Sequence, residues 1–148
     1  MRITLNIGGS ILAKNGELDV KLLSEIASAV KTLKRQGHLV YVVVGGGETA
    51  RKYMDAGKKL HLSSSLLDEI GIWTTRLNAK LLSLLLGSEI GTEVPTTIEA
   101  ALEQAMHGKI PVMGGTAPGQ TTDAVAALLA NASGSELLIF VTDVDGIY

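Results

Sequence analysis

The residues of this sequence best suited to chemistry are glycines that follow short apolar runs. Glycines 45–47 follow the apolar residues 41–44, and paired glycines follow two further runs, at 8–9 and at 114–115. Glycine lets other groups approach the backbone closely, and free amides at a helix N-terminus favour anions such as phosphate. Arg51 could add a fork of donors to the first loop. Glycine after a strand is also ordinary turn chemistry, so the 45–47 loop alone does not decide between the two.

The recurrence of this pattern favours a phosphate site. Four strands are predicted, and three end in glycines while the fourth ends in Thr142 and Asp143; they cover 2–7, 39–44, 110–113 and 137–141. Intervening helices make such strands parallel, with right-handed crossovers. Parallel strands end at one edge of the sheet, where ligands bind. We therefore expect the four loops to converge on one or more phosphate groups.

Helical spacing of apolar residues predicts the elements that must position these loops. The predicted helices cover 20–36, a segment from Glu48 onward, 66–86, a short segment from 96–99 to His107, and 124–131. Asp19 is expected to cap the first helix and Gly37 to end it, while Thr121 and Thr122 can cap the last. The fold class is therefore α/β, with helices packed on a mainly parallel sheet.

The helix predicted over Leu66 to Leu86 carries two further expectations. Ser65 and Asp68 have the spacing of a capping box, which gives Asp68 a structural role at the helix start. The helix is also apolar on more than one side, as in a helix that packs against another subunit. We expect a homo-oligomer that associates through this helix.

Composition excludes several functions. The net charge of −2 gives no basic surface for nucleic acid, and the absence of cysteine excludes disulfides, zinc-thiolate sites and thiol nucleophiles. No secretory signal or membrane-length apolar run is visible, so we expect a cytoplasmic protein without membrane contact. The histidines, at 38, 61 and 107, lie at element ends, and there is neither a nucleophile elbow nor a P-loop nor a dinucleotide fingerprint.

Glycine-lined anion loops without a nucleophile are typical of phosphoryl transfer, in which a protein mainly positions anionic substrates and neutralises charge. Asp123 follows two hydroxyl residues at a predicted helix start. It could orient a cation or a lysine, or it could simply cap the helix. The residues alone leave these two interpretations open.

Five segments carry a resemblance to the archaeal type of uridylate (UMP) kinases, within the amino acid kinase superfamily. They are Asn-Ile-Gly-Gly-Ser at 6–10, Val-Val-Gly-Gly-Gly-Glu-Thr-Ala-Arg-Lys-Tyr at 43–53, Asp-Glu-Ile-Gly-Ile-Trp-Thr-Thr-Arg-Leu-Asn-Ala at 68–79, Met-Gly-Gly-Thr-Ala-Pro-Gly-Gln-Thr-Thr-Asp-Ala-Val-Ala-Ala-Leu-Leu-Ala at 113–130, and Val-Thr-Asp-Val-Asp-Gly-Ile-Tyr at 141–148. The segments occur along the whole chain in the order of the family, and the stretch 114–123 is the most specific.

The resemblance implies a three-layer αβα fold of the amino acid kinase (carbamate kinase-like) type and ATP-dependent phosphorylation of UMP to UDP. Magnesium would come with ATP as co-substrate, with no resident metal and no tightly bound cofactor. It also implies a homohexamer built from dimers and a place in pyrimidine nucleotide biosynthesis.

Roles for individual residues follow from the same resemblance. UMP would be held by Gly46, Asp68, Thr116, Ala117, Pro118, Gly119, Gln120, Thr121 and Thr122. The ATP side would comprise Gly9, Ser10, Gly47, Arg51, Thr142, Asp143 and Tyr148. Asp123 would organise the transferring phosphoryl group, with Asn6 beside it.

The sequence departs from the resemblance in three places. Asn6 stands where most of the superfamily has a lysine, so charge neutralisation would come from Lys14 or Arg51 or be weaker. Asn6 could equally be a polar residue at a strand end with no catalytic part. Asp143 stands where relatives usually have asparagine, which places a carboxylate near the nucleotide. Relatives also continue beyond the 141–148 segment, so we expect 1–148 to be a shortened kinase domain that holds the UMP half and the start of the ATP half, with poor ATP binding.

Two alternatives remain from the sequence. One is another small-molecule kinase of the superfamily, such as an isopentenyl phosphate or acetylglutamate kinase. The other is a non-catalytic nucleotide-binding module, which Asn6 and the early end of the sequence would favour.

Overall fold

The computed structural model describes residues 1–91 and 93–143, and the side chain of Lys14 also lies outside the described part. The elements, in order, are β1 (Arg2–Ile7), α1 (Gly9–Leu12), β2 (Ala13–Lys14), β3 (Glu17–Leu18), α2 (Val20–Arg35), β4 (Leu39–Val44), α3 (Gly47–Lys59), α4 (Ser64–Leu86), a 3₁₀ turn (Gly87–Glu89), α5 (Ile98–Met106), β5 (Val112–Met113), α6 (Thr122–Ser133) and β6 (Leu137–Val141). No helix in the described ranges is long and apolar enough to cross a membrane.

The architecture is a three-layer αβα fold around a parallel sheet, which confirms the predicted fold class. The four-stranded sheet has the order β5-β4-β1-β6, and every pair in it is parallel. One core lies between the sheet and α2 and α4, and a second lies between the sheet and α5 and α6. Val42, Val43 and Val44 are fully buried, because the central strand β4 is covered on both faces.

The predicted element boundaries hold for β1, β4 and β6 and differ elsewhere for local reasons. Residues 9–12, expected as part of a loop, form the short helix α1. β5 covers two residues rather than four, because Pro111 has no N–H to continue the ladder; Ile110 forms only an isolated bridge with Ile90. α6 begins at Thr122 and ends at Ser133, and the C-cap Gly134 that follows has a left-handed φ of 69°.

The start of α4 differs in a way that concerns the site. The N-cap is Ser63, whose side chain accepts from the amide of Leu66, so the capping box predicted from Ser65 and Asp68 is wrong. The cap lies two residues earlier because Ser63 is the residue with extended backbone geometry. Asp68 is therefore free of a capping role, and its side chain has another partner.

Candidate functional site

A cavity of about 430 Å³ lies at the carboxyl edge of the sheet. Its walls come from the glycine loop 45–47, α3, α4 and the loop before α6. The lining residues are Gly46, Gly47, Ala50, Arg51, Met54, Asp68, Gly71, Ile72, Thr75, Gly115, Ala117, Gly119, Gln120, Thr121 and Thr122. The loops after β4 and β5 line the cavity, whereas those after β1 and β6 do not, so the predicted convergence of four loops is present only in part.

The loops after β1 and β4 touch through their backbones. A Cβ added to Gly9 would overlap the backbone of Gly46 and Gly47, and a Cβ added to Gly47 would overlap that of Gly9. Gly47 also has a φ of 60°, which L side chains rarely adopt. Positions 9 and 47 need glycine because the backbones of these two loops are in direct contact.

Helix α4 holds the glycine loop 45–47 through the buried side-chain amide of Asn78. Nδ2 of Asn78 donates to the carbonyl of Gly45 at 2.9 Å and reaches that of Gly46 at 3.4 Å. Asn78 is 8% exposed, so these bonds are shielded from water. A buried side-chain amide that makes two hydrogen bonds to the loop fixes the loop relative to the helix.

The same helix holds the loop before α6 at several points. Oγ1 of Thr75 accepts from the amide of Gly115 at 2.8 Å and donates to the carbonyl of Ile72 at 2.6 Å. Oδ2 of Asp68 accepts from the amide of Gly119 at 3.0 Å. Asp68, Thr75 and Asn78 recur at helical spacing, so one face of α4 contacts both loops.

Sequence reasoning did not identify Thr75, Arg76 and Asn78 as site residues. Their signal was present in the sequence as polar residues at helical spacing in an otherwise apolar helix. The sequence analysis used only the apolar residues of this helix, as a contact between subunits. The polar residues gave no prediction, because a helix sequence does not show which of its faces contacts a loop.

Asn6 and Asp123 form the polar contact between the sheet and α6. Nδ2 of Asn6 donates to Oδ1 of Asp123 at 2.6 Å, while Oδ1 of Asn6 is buried without a partner among the described residues. The cap of α6 is Thr121, which accepts from the amide of Ala124 at 3.1 Å. The capping interpretation of Asp123 is therefore wrong, because Thr121 already fills that role.

The electrostatics of the cavity favour an anion. The N-terminal ends of α3 and α6 both contribute lining residues, so two helix dipoles point positive ends at the same space. Arg51 adds a guanidinium to the wall. The one carboxylate in the lining is Asp68, at the side of the cavity formed by α4.

The acid in the first turn of α3 is engaged elsewhere. Glu48 forms an ion pair with Lys52 at 3.2 Å, and its other oxygen accepts from the amide of Gly16 at 3.5 Å. The Lys52 hydrogen bond, followed by that of Gly16, holds the pKa of the Glu48 carboxyl below its usual value. This carboxylate ties the β2–β3 hairpin to α3.

The residues predicted for the ATP side are only partly brought together with the cavity. Gly47 and Arg51 line it, whereas Ser10 and Asp143 do not: Oγ of Ser10 donates to Oδ1 of Asp143 at 3.0 Å. The carboxylate of Asp143, which the sequence analysis placed near the nucleotide, thus accepts a hydrogen bond from Ser10. Tyr148 lies outside the described residues.

The predicted UMP loop is mostly in the lining. Ala117, Gly119, Gln120, Thr121 and Thr122 contribute to the wall. Thr116 and Pro118 belong to the same loop but do not line the cavity, and Oγ1 of Thr116 donates to Oε1 of Gln120 at 2.7 Å. Across 1–91 and 93–143, no three His, Asp or Glu side chains cluster as metal ligands would.

Fold and cavity together define a three-layer α/β protein with a cavity at the ends of parallel strands whose electrostatics favour an anion. The model of the family described as "Amino acid kinase family" matches residues 1–148. The chain belongs to the amino acid kinase family.

Relatives from archaea are similar over the whole chain. The uridylate kinase of Methanocaldococcus jannaschii is 47% identical over 148 residues, and that of Methanococcoides burtonii is 49% identical over 148 residues. Each match covers 100% of this chain, but the chain spans only 66% and 62% of the respective relatives.

Solved structures agree with the fold. The crystal structure of uridylate kinase from Archaeoglobus fulgidus matches with a TM-score of 0.91 and 39% identity, covering 100% of this chain and 66% of that one. The UMP kinase from Ureaplasma parvum matches with a TM-score of 0.80 at 23% identity, which supports the fold alone.

Proposed function

We propose that this chain is the UMP-binding part of a uridylate kinase, an ATP-dependent phosphotransferase that converts UMP to UDP. The observation that carries the proposal is the cavity whose lining combines two helix N-termini, glycine backbones and Arg51 with the carboxylate residue Asp68. Such a site offers donors for a phosphate at one end and an acceptor for hydroxyl groups at the other. The similarity to archaeal uridylate kinases supports the nucleotide as ligand.

UMP would lie between α4 and the 116–122 loop. The carboxylate of Asp68 has one oxygen on Gly119 N, which leaves the other for the ribose hydroxyls. The amides around Gly46 and at the start of α6 would receive the phosphate. This arrangement assigns residues 116–122 of the predicted UMP set, including Thr116 and Pro118, to one continuous binding loop, while Gly46 and Asp68 come from other segments.

Phosphoryl transfer would take place beside the Gly9–Gly47 contact. ATP, carrying magnesium as co-substrate, would place its phosphates along Gly9, Ser10, Gly47 and Arg51. Asp123 would organise the transferring group, held by Asn6 at 2.6 Å. In phosphoryl transfer the protein mainly aligns the two substrates and neutralises the charge of the transferring group.

The ATP half is proposed to continue beyond Thr142 and Asp143. β6 is an edge strand of the sheet, and Ile139 and Phe140 on it are each 40% exposed. Further strands would pair with this edge and cover those side chains. In this proposal 1–148 belongs to one amino acid kinase domain and holds the UMP half and the start of the ATP half, in a cytoplasmic enzyme of pyrimidine nucleotide biosynthesis.

The test is titration calorimetry of this chain with UMP, CMP, uridine and ATP. We expect UMP to bind, uridine to bind much more weakly because it lacks the anion, and ATP to bind poorly. A chain that binds none of the four, or that binds uridine as tightly as UMP, contradicts the proposal. Tighter binding of isopentenyl phosphate or N-acetylglutamate would assign another kinase of the family.

A second candidate, a nucleotide-binding protein without turnover, is favoured by Asn6. Lys52 with Glu48 is the one ion pair in the described part of the chain, so no described cation is paired with Asp123. Lys14, the other cation considered for charge neutralisation, has its side chain outside the described part. Phosphorus NMR of UMP with ATP and magnesium distinguishes the two when it is run on a chain extended to the length of the relatives, since UDP then forms only if the protein turns over.

The surface of α4 away from the site is proposed as the contact between copies of this chain. Four exposed apolar residues define an α4 stripe: Leu66, Trp73, Leu77 and Leu84, exposed by 46%, 64%, 66% and 62%. They are separated by seven, four and seven residues, the spacing of a coiled-coil seam. Such a seam is self-complementary and fits a twofold dimer, from which a hexamer would be assembled.

A further inference from the structure

Arg76 lies on α4 between the cavity side and the α4 stripe. Its Nε donates to the carbonyl of Gly115 at 3.2 Å, and Nη2 reaches that of Thr116 at 3.5 Å. Its guanidinium carbon lies 5.7 Å from the centre of the Trp73 ring. Trp73 is the only tryptophan of the chain and belongs to the exposed stripe. One side chain therefore joins that stripe to the loop that lines the cavity.

The loop needs such a support because its other attachments lie at its two ends. Thr75 holds the amide of Gly115, and Asp68 holds that of Gly119. The described hydrogen bonds between those points are the Thr116–Gln120 side-chain contact, the Gln120 amide to Ala117, and those of Arg76. Arg76 is the contact that fixes the loop to α4 between its anchors.

The direction of these bonds bears on the ligand. In a trans peptide the C=O of one residue and the N–H of the next point in opposite directions. Holding the carbonyls of Gly115 and Thr116 toward Arg76 therefore turns the amides of Thr116 and Ala117 away from it. Ala117 lines the cavity, so the arginine sets the orientation of one backbone donor in the wall that the ligand meets.

We propose that Arg76 is a positioning residue for the nucleoside monophosphate and that Trp73 holds its guanidinium in place; this inference rests on the proposed function. Arginine suits the role because its planar fork can donate to two successive carbonyls while its face packs on an indole. Lysine has a single ammonium and cannot do both. Arg76 itself makes no contact with the ligand in this arrangement.

The test compares Arg76→Ala and Arg76→Lys with Arg35→Ala, an exposed arginine at the end of α2 far from the loop. We expect Arg76→Ala to weaken UMP binding by about tenfold, because the loop is then ordered only when UMP binds and that ordering opposes binding. Arg76→Lys should not restore it, and Arg35→Ala should bind as the unmodified chain does. UMP affinity within twofold for Arg76→Ala, in a variant shown to be folded, overturns the proposal.

The contribution of Trp73 is tested by a double-mutant cycle. Because Trp73 acts through Arg76, the double variant with Trp73→Ala should bind UMP no worse than Arg76→Ala alone. Fully additive losses overturn the link between the two. Trp73 fluorescence gives a second readout: UMP should change it in the unmodified chain, and saturating UMP should leave it unchanged in Arg76→Ala.

A failure of the proposed function can be separated from a failure of this inference. If the unmodified chain does not bind UMP, amide hydrogen exchange without ligand still tests Arg76. The amides of Gly115 and Gly119 should exchange faster in Arg76→Ala than in Arg35→Ala, because the loop between them is released. Equal exchange in both variants overturns the proposal irrespective of UMP.

Discussion

The side-chain amide of Asn6 donates to Oδ1 of Asp123 across 2.6 Å and so joins the end of β1 to the first turn of α6. Asn6 is 2% exposed, whereas Asp123 is exposed. The Oδ1 atom of Asn6 is buried without a partner among the described residues. A buried acceptor without a donor lowers the free energy of unfolding. Asn6 is therefore better explained by a functional role than by a contribution to stability.

Replacing Asn6 by leucine should therefore not destabilise the fold. Leucine has nearly the same shape and removes the unpaired oxygen, while the exposed Asp123 regains water. We expect the free energy of unfolding to stay constant or rise by about 1 kcal/mol in urea titrations. The matched variant Asn78→Leu should lose about 1–3 kcal/mol, since it leaves the carbonyl of Gly45 without a donor and that of Gly46 with only the amide of Ala50. Equal losses in both variants would contradict this contrast.

Asp68→Asn should weaken UMP binding while leaving the chain folded. The neutral amide is a poorer acceptor for the amide of Gly119 and for a ribose hydroxyl, and we expect a loss of about tenfold. Glu69→Gln, the neighbouring exposed acid, serves as the control and should bind UMP normally. Calorimetric titration measures both, and unchanged affinity in Asp68→Asn would refute the assignment.

Gly9→Ala should destabilise the fold by about 2 kcal/mol or more, the range of severe steric substitutions. The added methyl group overlaps the backbone of Gly46 and Gly47, which cannot move aside as a flexible side chain can. Gly71→Ala is the contrasting variant, because its methyl meets only the sulfur of Met54 at 3.2 Å and alanine favours the helix. Thermal unfolding should show a lower Tm for Gly9→Ala and an equal or higher one for Gly71→Ala.

The ion pair of Glu48 predicts a pH-dependent difference in stability. The bonds from Lys52 and Gly16 lower the pKa of this carboxyl in the folded state, so they stabilise the fold while Glu48 is ionised. The advantage of the unmodified chain over Glu48→Gln should be present at neutral pH and disappear as the pH falls through the depressed pKa, below 4.5. Because the pair is exposed, the difference in Tm should be small and should shrink in high salt. A difference that grows toward acid pH would contradict the sign.

Self-association should depend on the α4 stripe. Leu77→Glu places a charge in the centre of the seam, so we expect sedimentation velocity to show a monomer where the unmodified chain forms a dimer or larger species. Val20→Glu is the matched control, because Val20 is 75% exposed at the start of α2 and lies outside the stripe. Loss of association in both variants, or in neither, would count against the stripe as the contact.

Much of the architecture was predictable because its signals are local. Glycines 8–9, 45–47 and 114–115 mark the ends of strands, and the parallel sheet then brings them to one edge. Asp19 and Thr121 are caps that sequence spacing identifies correctly. The start of α4 was missed because Ser63, Ser64 and Ser65 are equivalent by type, and only the backbone geometry selects one.

By itself, the sequence determined the α/β class, the strand ends that converge and the loops that offer amides to an anion, because periodicity and glycine placement act over short distances. Tertiary structure alone decided that Asp68, Thr75, Arg76 and Asn78 hold those loops, and that Asn6 meets Asp123. The loop contacts span 32 to 51 residues and the Asn6 contact spans 117. Their partners are fixed by how α4 and α6 pack on the sheet, which no local pattern encodes.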